Sequence, residues 1–342
     1  MKKNPVIIIN NEKVFKDGDN HYCDNLDMKV LPEGLNANHE VEFIVRSSKV
    51  KGSQSLNLRS IKVASNIFKF IYFIYKTFKF PNVSYLLISI TPYTFFSFLF
   101  LFLFRKKIFV YLFSSGHEEY KHILGSWFVW IYHIMYVIVT SGSEVIVCHE
   151  RLYNKKKSHL VYISRLDDDW IKNHKDPILN KVNFLYVGRL SPEKGIFEFL
   201  KMFNQIKLDA HFSIVGNSEK NKISNKNVKL LGYVADTKSL INIYDEHNIT
   251  VLPSFTEATP YVVDESLSRK RPVIIFKDID YIVRDKIGIF VSERDVDSFS
   301  QVTKYIMDNY LEIQKNMEKN ILPTKKNMIK QISDIIKTQT LH

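Results

Sequence analysis

Short apolar runs alternate with amphipathic stretches along most of this 342-residue chain. Runs rich in β-branched and aromatic residues predict buried strands, and the stretches between them have the three- and four-residue spacing of helices. Regular alternation of strand and helix indicates an α/β protein with mostly parallel sheets. A polar stretch over residues 172–181 is typical of a linker. We therefore predict two α/β domains, residues 1–170 and 182–321, with a cleft between them and a helical tail over 322–342.

The first domain is predicted to open with a strand, a helix and a strand. Val6–Ile9 and Val41–Val45 predict strands, and a helix over Tyr22–Leu35 completes a βαβ unit. The intervening Asn10–Asp19 is predicted to be a polar loop. A single basic amphipathic helix is predicted over Arg59–Phe80, with aromatic residues opposite the cations. Such a helix suits a membrane surface, although a core-packed helix with a basic exposed side has the same pattern.

The most apolar part of the chain follows this helix. Tyr85–Ile90 predicts a strand, and Tyr93–Phe104 predicts a helix rich in Phe and Leu. A transmembrane helix over Tyr85–Phe104 is the alternative, because about 20 apolar residues can span a bilayer. Pro92 falls inside that span and favours the division into strand and helix.

Charge is distributed unevenly along the chain, whose formal net charge is +12. Between Phe43 and His117 the sequence has many Lys, Arg and aromatic residues but neither Asp nor Glu. This composition predicts an anionic partner, either a lipid surface or a nucleic acid. The two cysteines, Cys23 and Cys148, lie far apart and fit no metal pattern, which favours a reducing compartment. No signal peptide is recognised after Met1, so a cytoplasmic location is expected.

His117 is a candidate for contacting a substrate. It follows a predicted strand that ends at Phe113, and ligands bind at the carboxyl ends of strands in open α/β sheets. A surface-loop histidine is the alternative. Further on, Asp167, Asp168 and Asp169 form a carboxylate run. Adjacent carboxylates point in different directions, so a solvated connection is favoured over a metal site.

Two cations lie where the second domain turns from its first strand into a helix. Gly188 follows the strand and allows close backbone approach. Ser191 suits an N-cap and Pro192 the first helical position. Because Arg189 and Lys194 bracket this helix start, the segment suits a diphosphate. Two ordinary surface cations are the alternative.

A second helix start lies between two acids. Ile249–Leu252 predicts a strand, and Pro260 suits the first position of the next helix. Glu257 precedes that helix, and Glu265 lies about one and a half turns inside it. Free N–H groups between them favour an anion, while the acids suit hydroxyl groups. An acid that only complements the helix dipole is the alternative.

Taken together, these segments resemble family 4 retaining glycosyltransferases of the GT-B fold, in which two Rossmann-like domains face each other across a cleft. Leu185–Gly195 resembles the donor-phosphate motif. Ile214–Gly216, Leu231–Val234 and the pair Glu257 and Glu265 follow in the family's order and spacing. The resemblance covers Val182 to about Asp308, whereas the first half matches only in layout.

The resemblance implies a set of site residues. Donor contacts are implied for Gly188, Arg189, Lys194, Gly216, Tyr233, Val234, Glu257, Ala258, Thr259, Pro260, Tyr261 and Glu265. Catalytic roles are implied for His117, Arg189, Lys194 and Glu257. Arg189 and Lys194 would offset the charge on the leaving diphosphate, and Glu265 would accept hydrogen bonds from the ribose. The family's reaction retains configuration, and neither a metal nor another cofactor is expected.

The implied activity is transfer of a sugar from a UDP- or GDP-linked donor to a lipid-linked or growing surface glycan, such as lipopolysaccharide or capsule. We expect it at the inner face of the plasma membrane, held there by its basic aromatic stretch, without nucleic acid. Asn10–Lys13 stands where the family has a glycine-rich loop, and Thr259 replaces a commoner aromatic residue. A non-catalytic membrane or partner-binding subunit therefore stays an alternative, and a nucleic-acid-binding protein is a weaker one.

Overall fold

The computed structural model describes residues 4–113, 116–117, 120–121, 125–148, 150–156, 158–217, 225–257 and 259–338. These residues form two compact units. The first contains the chain up to Ile163 together with the segment from Lys325 onward, and the second is Ser164–Thr324. These bounds differ from the predicted 170, 182 and 322. The difference arises because the connecting segment hydrogen-bonds to the second unit and the last helix packs against the first.

The first unit consists of a β-sheet with helices packed against it. Its strands are β1 Pro5–Asp17, β2 Asn20–Cys23, β3 Glu40–Ser47, β4 Gln54–Ser55, β5 Ser60–Ala64, β6 Ser84–Ile88, β7 Lys107–Leu112, β8 Glu144–Val147 and β9 Ser158–Leu160. Its helices are α1 Asp27–Asn36, α2 Ile67–Lys76, α3 Pro92–Leu103, α4 Phe128–Ser141 and, after the second unit, α11 Lys325–Thr338; 3₁₀ turns lie at Thr77–Lys79 and Glu150–Leu152. Parallel pairing gives the strand order β5-β3-β1-β6-β7-β8-β9.

The predicted loop over Asn10–Asp19 is wrong. β1 continues through most of it, with Val14 buried, and turns at Gly18 into the antiparallel β2. Gly18 has φ +59°, which a tight hairpin turn requires. The helix predicted over Tyr22–Leu35 is wrong at its start, because Tyr22 and Cys23 belong to β2 and α1 begins only at Asp27.

The single helix predicted over Arg59–Phe80 is also wrong in its first part. β5 occupies Ser60–Ala64, where it pairs in parallel with β3. Asn66 then ends the extended segment and caps α2, its side chain accepting from the amide of Lys69 at 2.9 Å. The cation spacing that indicated one helix therefore runs across a strand and a helix.

The division of the apolar run at Pro92 is confirmed. β6 ends at Ile88, and Thr91 caps α3 in a reciprocal bond with Thr94. Among the residues that the structure describes, we find no helix with the length and apolar character needed to cross a membrane.

The second unit contains a parallel six-stranded sheet in the order β12-β11-β10-β13-β14-β15. Its strands are β10 Val182–Val187, β11 Ala210–Val215, β12 Val228–Gly232, β13 Ile249–Leu252, β14 Val273–Phe276 and β15 Ile289–Ser292. Its helices are α5 Asp168–Ile171, α6 Ile196–Phe203, α7 Thr237–Glu246, α8 Tyr261–Ser268, α9 Val296–Asp308 and α10 Tyr310–Met317; 3₁₀ turns lie at Pro192–Lys194 and Lys277–Ile282. A cluster of buried phenylalanines, including Phe184, Phe199 and Phe276, joins the helices to the sheet.

The helix predicted from Ile196 is confirmed at its start, but the capping roles predicted for Ser191, Pro192 and Pro260 at the starts of α6 and α8 are wrong. Pro192–Lys194 forms a 3₁₀ turn, and α6 begins at Ile196. Ser191 makes no side-chain cap, and its hydroxyl donates instead to Oε1 of Glu193 at 2.6 Å. Pro260 is the N-cap of α8 rather than its first helical residue. Because all strands are parallel, the loops after β10, β11, β12 and β13 still emerge at one edge of the sheet.

Candidate functional site

Glycines allow three loops to approach closely at the carboxyl edge of the second sheet. The amide of Gly188 donates to the carbonyl of Val215, and the amide of Gly216 donates to that of Gly232, each at 2.9 Å. A Cβ atom on Gly216 would lie 2.0 Å from the carbonyl oxygen of Gly188. A Cβ atom on Gly188 would lie 2.7 Å from the phenolic oxygen of Tyr186. The glycines expected to contact a ligand thus first serve the packing of these loops.

The loop after β10 also packs against the loop after β13. Gly195 has φ +62°, and a Cβ atom there would lie 1.9 Å from the carbonyl oxygen of Pro253. The amide of Phe255 donates to the carbonyl of Glu193 at 3.1 Å. The two segments that the sequence singled out separately therefore form one surface.

Lys194 and Glu257 form an ion pair on that surface. Nζ of Lys194 lies 2.6 Å from Oε1 of Glu257, and their side chains are only 20% and 9% exposed. The hydroxyl of Ser254 donates to the same carboxylate oxygen at 2.6 Å. The main chain of Glu257 is held by Tyr281, whose hydroxyl donates to its carbonyl at 2.6 Å and accepts from its amide at 3.1 Å. A charged pair is thereby fixed in a partly desolvated position.

Arg189 occupies a more open position. Its guanidinium lies 3.2 Å from Glu193 and is 77% exposed. The pKa of Glu193 lies below its ordinary value, mainly because the hydroxyl of Ser191 donates to it and its own amide adds a further bond. Arg189 is held through its backbone, since Tyr186 donates to its carbonyl at 2.6 Å. Its side chain is therefore available to an anionic ligand.

Glu265 lies inside the second unit rather than at its surface. It is 6% exposed, and Oε2 accepts a hydrogen bond from the phenol of Tyr244 at 2.9 Å. Burial raises its pKa above the ordinary value, although the bond from Tyr244 and the charge of Arg165 act in the opposite direction. The ring of Trp170 packs edge-on against Tyr244, with centroids 5.5 Å apart.

The start of α8 carries the other donor candidates of this loop. The hydroxyl oxygen of Thr259 is buried and makes no hydrogen bond to the residues that the structure describes. The guanidinium of Arg165 lies over the ring of Tyr261, 3.9 Å from its centroid. Pro260 is half-buried, and Ala258 lies outside the described residues.

Tyr233 and Val234 follow β12, the edge strand that pairs with β11. Tyr233 is 56% exposed, whereas Val234 is exposed less and packs partly against the cluster around Leu185 and Tyr244. Tyr233 thus offers an aromatic face at the same edge of the sheet as Arg189.

His117 belongs to the first unit. Its Nε2 lies 3.2 Å from Nδ1 of His133, and its ring meets those of Tyr132 and Tyr136 edge-on. Partial burial, followed by the charge of His133, lowers the pKa of His117 below its ordinary value. Neutral imidazole is therefore favoured.

The carboxylate run at Asp167–Asp169 has structural partners. Asp167 caps α5 by accepting from the amide of Asp169, and Asp168 pairs with Lys172 at 2.7 Å. Across the described ranges, no group of three or more His, Cys, Asp and Glu side chains converges in a way that could hold a metal ion.

Sequence reasoning missed several residues that build the site. Arg294 follows β15, and its guanidinium donates to the carbonyl of Pro253 at 3.0 Å while stacking on Phe255, 4.2 Å from the ring centroid. Tyr281 and Tyr244 hold the two acids. Their bonds join segments far apart in sequence, so no local spacing could reveal them. Arg165 had a signal, because it is a cation within the connecting segment.

The second unit resembles known proteins in sequence. Residues 181–309 match the family model described as glycosyl transferases group 1. A Staphylococcus aureus protein, the capsular polysaccharide biosynthesis glycosyltransferase CapM, is 28% identical over 155 residues. That match spans 40% of this chain and 40% of the relative.

Solved structures resemble the chain over nearly its whole length. Sucrose-phosphate synthase from Thermosynechococcus elongatus has a TM-score of 0.72 at 15% identity, covering 99% of this chain and 100% of that one. Anabaena HepE, crystallised with UDP, has a TM-score of 0.69 at 12% identity over 99% and 100% of the two chains. The resemblance of this segment to glycosyl transferases group 1 and the GT-B fold expected with it are confirmed, whereas family 4 and retention stay predictions. The chain therefore has the GT-B fold, and residues 181–309 within it match the glycosyl transferases group 1 family model.

Proposed function

We propose that the chain is a glycosyltransferase that takes its sugar from a nucleotide-diphosphate donor. The observation that carries this proposal is the ion pair of Lys194 and Glu257 at the edge where parallel-sheet proteins bind ligands. A cation beside an acid suits a ligand that combines phosphate with sugar hydroxyls. The family match over 181–309 and the name of the capsular relative support the same activity. UDP-glucose is the first donor to test, because HepE was also crystallised with it.

The proposed mechanism assigns a role to each charged residue. Lys194 and Arg189 offset the charge that grows on the leaving nucleoside diphosphate, in the place of a metal ion. Glu257 and the start of α8, including the buried hydroxyl of Thr259, face the donor sugar. Oε1 of Glu265 accepts from the ribose, while Tyr244 holds Oε2. The sugar is transferred with retention from the face on which the nucleotide departs, and His117 is the candidate catalytic histidine.

The proposed acceptor is a lipid-linked or growing surface glycan at the inner face of the plasma membrane. The acid-free basic stretch between Phe43 and His117 supports a location beside anionic lipid. The capsular relative supports an acceptor in polysaccharide biosynthesis.

A subunit without turnover is the second candidate. One observation favours it: β1 extends to Asp17, and its hairpin stands where the family has a glycine-rich loop. In that case nucleotide sugars would bind without being consumed.

Thermal-shift screening tests donor binding. UDP, GDP, ADP and their sugars should be added to the full chain, because a ligand that binds only the native state raises its melting temperature. We expect a shift with one nucleotide class. Lys194→Ala should abolish it, whereas Lys201→Ala, an exposed cation on α6, should keep it. The donor-site assignment would be overturned if the shift survives Lys194→Ala. It would also be overturned if none of the tested nucleotides and nucleotide sugars shifts the melting temperature.

Turnover is tested separately with the donor that binds. Release of the nucleoside diphosphate in the presence of a membrane extract, with EDTA added, checks transfer without a metal. NMR of the product linkage then distinguishes retention from inversion. Binding without release would favour the non-catalytic subunit, and salt-sensitive retention of nucleic acid without any nucleotide shift would favour a nucleic-acid-binding protein.

A further inference from the structure

Three helices of the first unit form one layer on the same side of its sheet. α2, α3 and α4 each precede a parallel strand in the progression from β5 through β6 and β7 to β8. Right-handed crossovers in one direction place their helices on one face. α2 contacts α3, and α3 contacts α4. Their inward side chains, among them Phe70, Phe98 and Tyr132, join the core of the sheet.

The outward face of this layer is apolar as well. Its exposed large side chains are Phe68, Tyr72 and Tyr75 on α2; Phe96, Leu99, Phe102 and Leu103 on α3; and Trp127, Trp130, Ile134, Val137 and Ile138 at the start and along α4. They recur three, four or seven residues apart and therefore form a stripe on each helix. The most exposed are Phe68 at 84%, Leu103 at 75% and Trp127 at 70%. An apolar surface of this size marks an interaction site.

The exposed charges at the ends of α2 and α3 are cations. α3 and α4 contain no Asp, Glu, Lys or Arg. The exposed cations Lys76, Lys79 and Arg105 follow at the ends of α2 and α3, and the sequence between Phe43 and His117 has no acid to pair with them. The ammonium of Lys76 lies over the ring of Tyr72, with Nζ 5.1 Å from the centroid, so that cationic and aromatic surface lie side by side.

We propose that the outward face of α2, α3 and α4 embeds in the interfacial region of an anionic bilayer. α3 and α4 would reach the boundary between headgroups and acyl chains, and the cations would contact lipid phosphates. Trp and Tyr at the margin of the face suit this depth. Contact between two copies fits less well, because a symmetric pairing of this face would bring the cations at the ends of α2 and α3 towards those of the other copy.

This inference deepens the proposed membrane-side location and does not depend on sugar transfer. If cations alone bound the chain to anionic lipid, binding would be lost at 1 M salt, because the electrostatic attraction is then screened within about 3 Å. Embedded apolar side chains add a contribution that salt does not screen. Binding to anionic vesicles should therefore weaken at 1 M salt but persist.

Tryptophan fluorescence tests the embedding directly. The chain has three tryptophans, of which Trp170 is 3% exposed in the second unit, whereas Trp127 and Trp130 lie on the proposed face. Vesicles of phosphatidylglycerol and phosphatidylcholine with brominated acyl chains should quench at least half of the emission of Trp127 and Trp130. A Trp127→Phe, Trp130→Phe variant, in which only Trp170 emits, should show no quenching while still sedimenting with the vesicles.

A paired substitution tests the apolar contribution. Phe102→Ser with Ile134→Ser should reduce sedimentation with the vesicles at least tenfold at 1 M salt. Leu311→Ser, a change of the same kind at a 69% exposed site of the second unit, should leave it unchanged. Circular dichroism and the nucleotide-induced thermal shift should be unaltered in both variants. Because that shift reports the donor site without lipid, failure of the membrane proposal and failure of the proposed function are distinguishable.

Three outcomes would overturn the proposal. One is the absence of sedimentation of the folded wild type, and another is sedimentation without bromine quenching, which would mean electrostatic adsorption alone. The third is a stable dimer in lipid-free buffer that Phe102→Ser with Ile134→Ser dissociates, which would identify the face as a contact between copies.

Discussion

The phenol of Tyr244 holds the buried carboxyl of Glu265 through a hydrogen bond of 2.9 Å. Tyr244 comes from α7 and Glu265 from α8, so the bond joins two helices beside the candidate ligand edge. Trp170, in the segment that enters the second unit, packs against the same tyrosine. The carboxyl of Glu265, which is proposed to bind the ribose, is thus held in position by Tyr244, which Trp170 supports in turn.

Glu265→Gln should stabilise the protein at neutral pH while weakening nucleotide binding. Burial raises the pKa of Glu265 in the folded state, so the folded protein binds its proton more tightly than the unfolded chain. The stability contributed by Glu265 is therefore complete below the ordinary pKa and is lost as pH rises through the folded pKa. Glutamine carries no charge, keeps an acceptor for Tyr244 and does not lose this stability.

Thermal melts between pH 4 and pH 8 check the stability part of this prediction. The gain in melting temperature of Glu265→Gln over wild type should grow with pH and vanish at the acid end. Glu312→Gln, at an exposed position of α10, is the control and should not change the profile. A Glu265→Gln variant less stable than wild type at pH 8 would show that the carboxylate is stabilised in the folded state.

Removing one partner of the Lys194–Glu257 pair should destabilise more than removing both. Lys194→Ala leaves a carboxylate that is 9% exposed without its cation, and an unpaired buried group costs about 1–3 kcal/mol or more. Glu257→Gln in the same chain removes that charge and should recover part of the loss. Urea unfolding of both single variants and the double variant measures the coupling. Additive losses would mean that the pair contributes nothing to stability.

Much of the second unit follows from local pattern. The strand from Val182 and the one from Ile249 are short β-branched or aromatic runs bounded by Gly or Pro, and such runs are buried wherever they fold. Lys194 and Glu257 could each be singled out as ligand candidates. Their contact could not, because it depends on the pairing of β10 with β13, and Lys194 and Glu257 are 63 residues apart in sequence.

The first unit was harder to predict, because the spacing of its apolar and charged residues fits both a strand and a helix in places. Ile61 and Val63 fit a strand, but the cations around them recur at helical spacing. The sequence therefore predicts a helix where Ser60–Ala64 forms β5. The hairpin after Asn10 has a polar outer side because it extends beyond the parallel sheet, and polarity alone suggested a loop. The buried state of Glu265 also needed the structure, since Tyr244 and Trp170 come from elsewhere in the chain.

Arg269→Met should be among the most destabilising substitutions in the second unit. The guanidinium is 1% exposed, pairs with Asp245 through two bonds and donates to the carbonyls of Trp170, Lys172 and Asn173. Breaking a buried ion pair by removing one partner costs about 3–5 kcal/mol. The neighbouring pair of Lys270 with Glu318 is more exposed, and Lys270→Met should cost at most about 1 kcal/mol.

Urea unfolding followed by Trp170 fluorescence, in a Trp127→Phe, Trp130→Phe background, measures both changes at Arg269 and Lys270. Trp170 reports the segment that Arg269 holds. Equal midpoints for Arg269→Met and Lys270→Met would contradict the prediction.

His133→Gln should raise the pKa of His117. Burial and the charge of His133 both lower the pKa of His117, and the substitution removes the second cause. A lowered pKa means that the stability linked to His117 is present above its ordinary pKa and is lost as pH falls through the folded pKa. NMR titration of the imidazole signals, assigned with His117→Gln, measures the shift. In a transfer assay, the acid limb of the pH profile should move to higher pH; an unmoved limb would separate His117 from the reaction.

Gly195→Ala should damage the candidate site through its backbone. Gly195 has φ +62°, which costs an alanine about 1–2 kcal/mol, and its Cβ atom would meet the carbonyl oxygen of Pro253 at 1.9 Å. Gly18→Ala is a matched control, because Gly18 has φ +59° and nothing within 4 Å of the added atom. Both variants should lose the conformational part of stability, measured by urea unfolding, but only Gly195→Ala should also separate the loops after β10 and β13 and abolish the nucleotide-induced thermal shift. Equal losses of stability with an intact thermal shift in both variants would mean that the close approach of Gly195 to Pro253 is not needed to form the site.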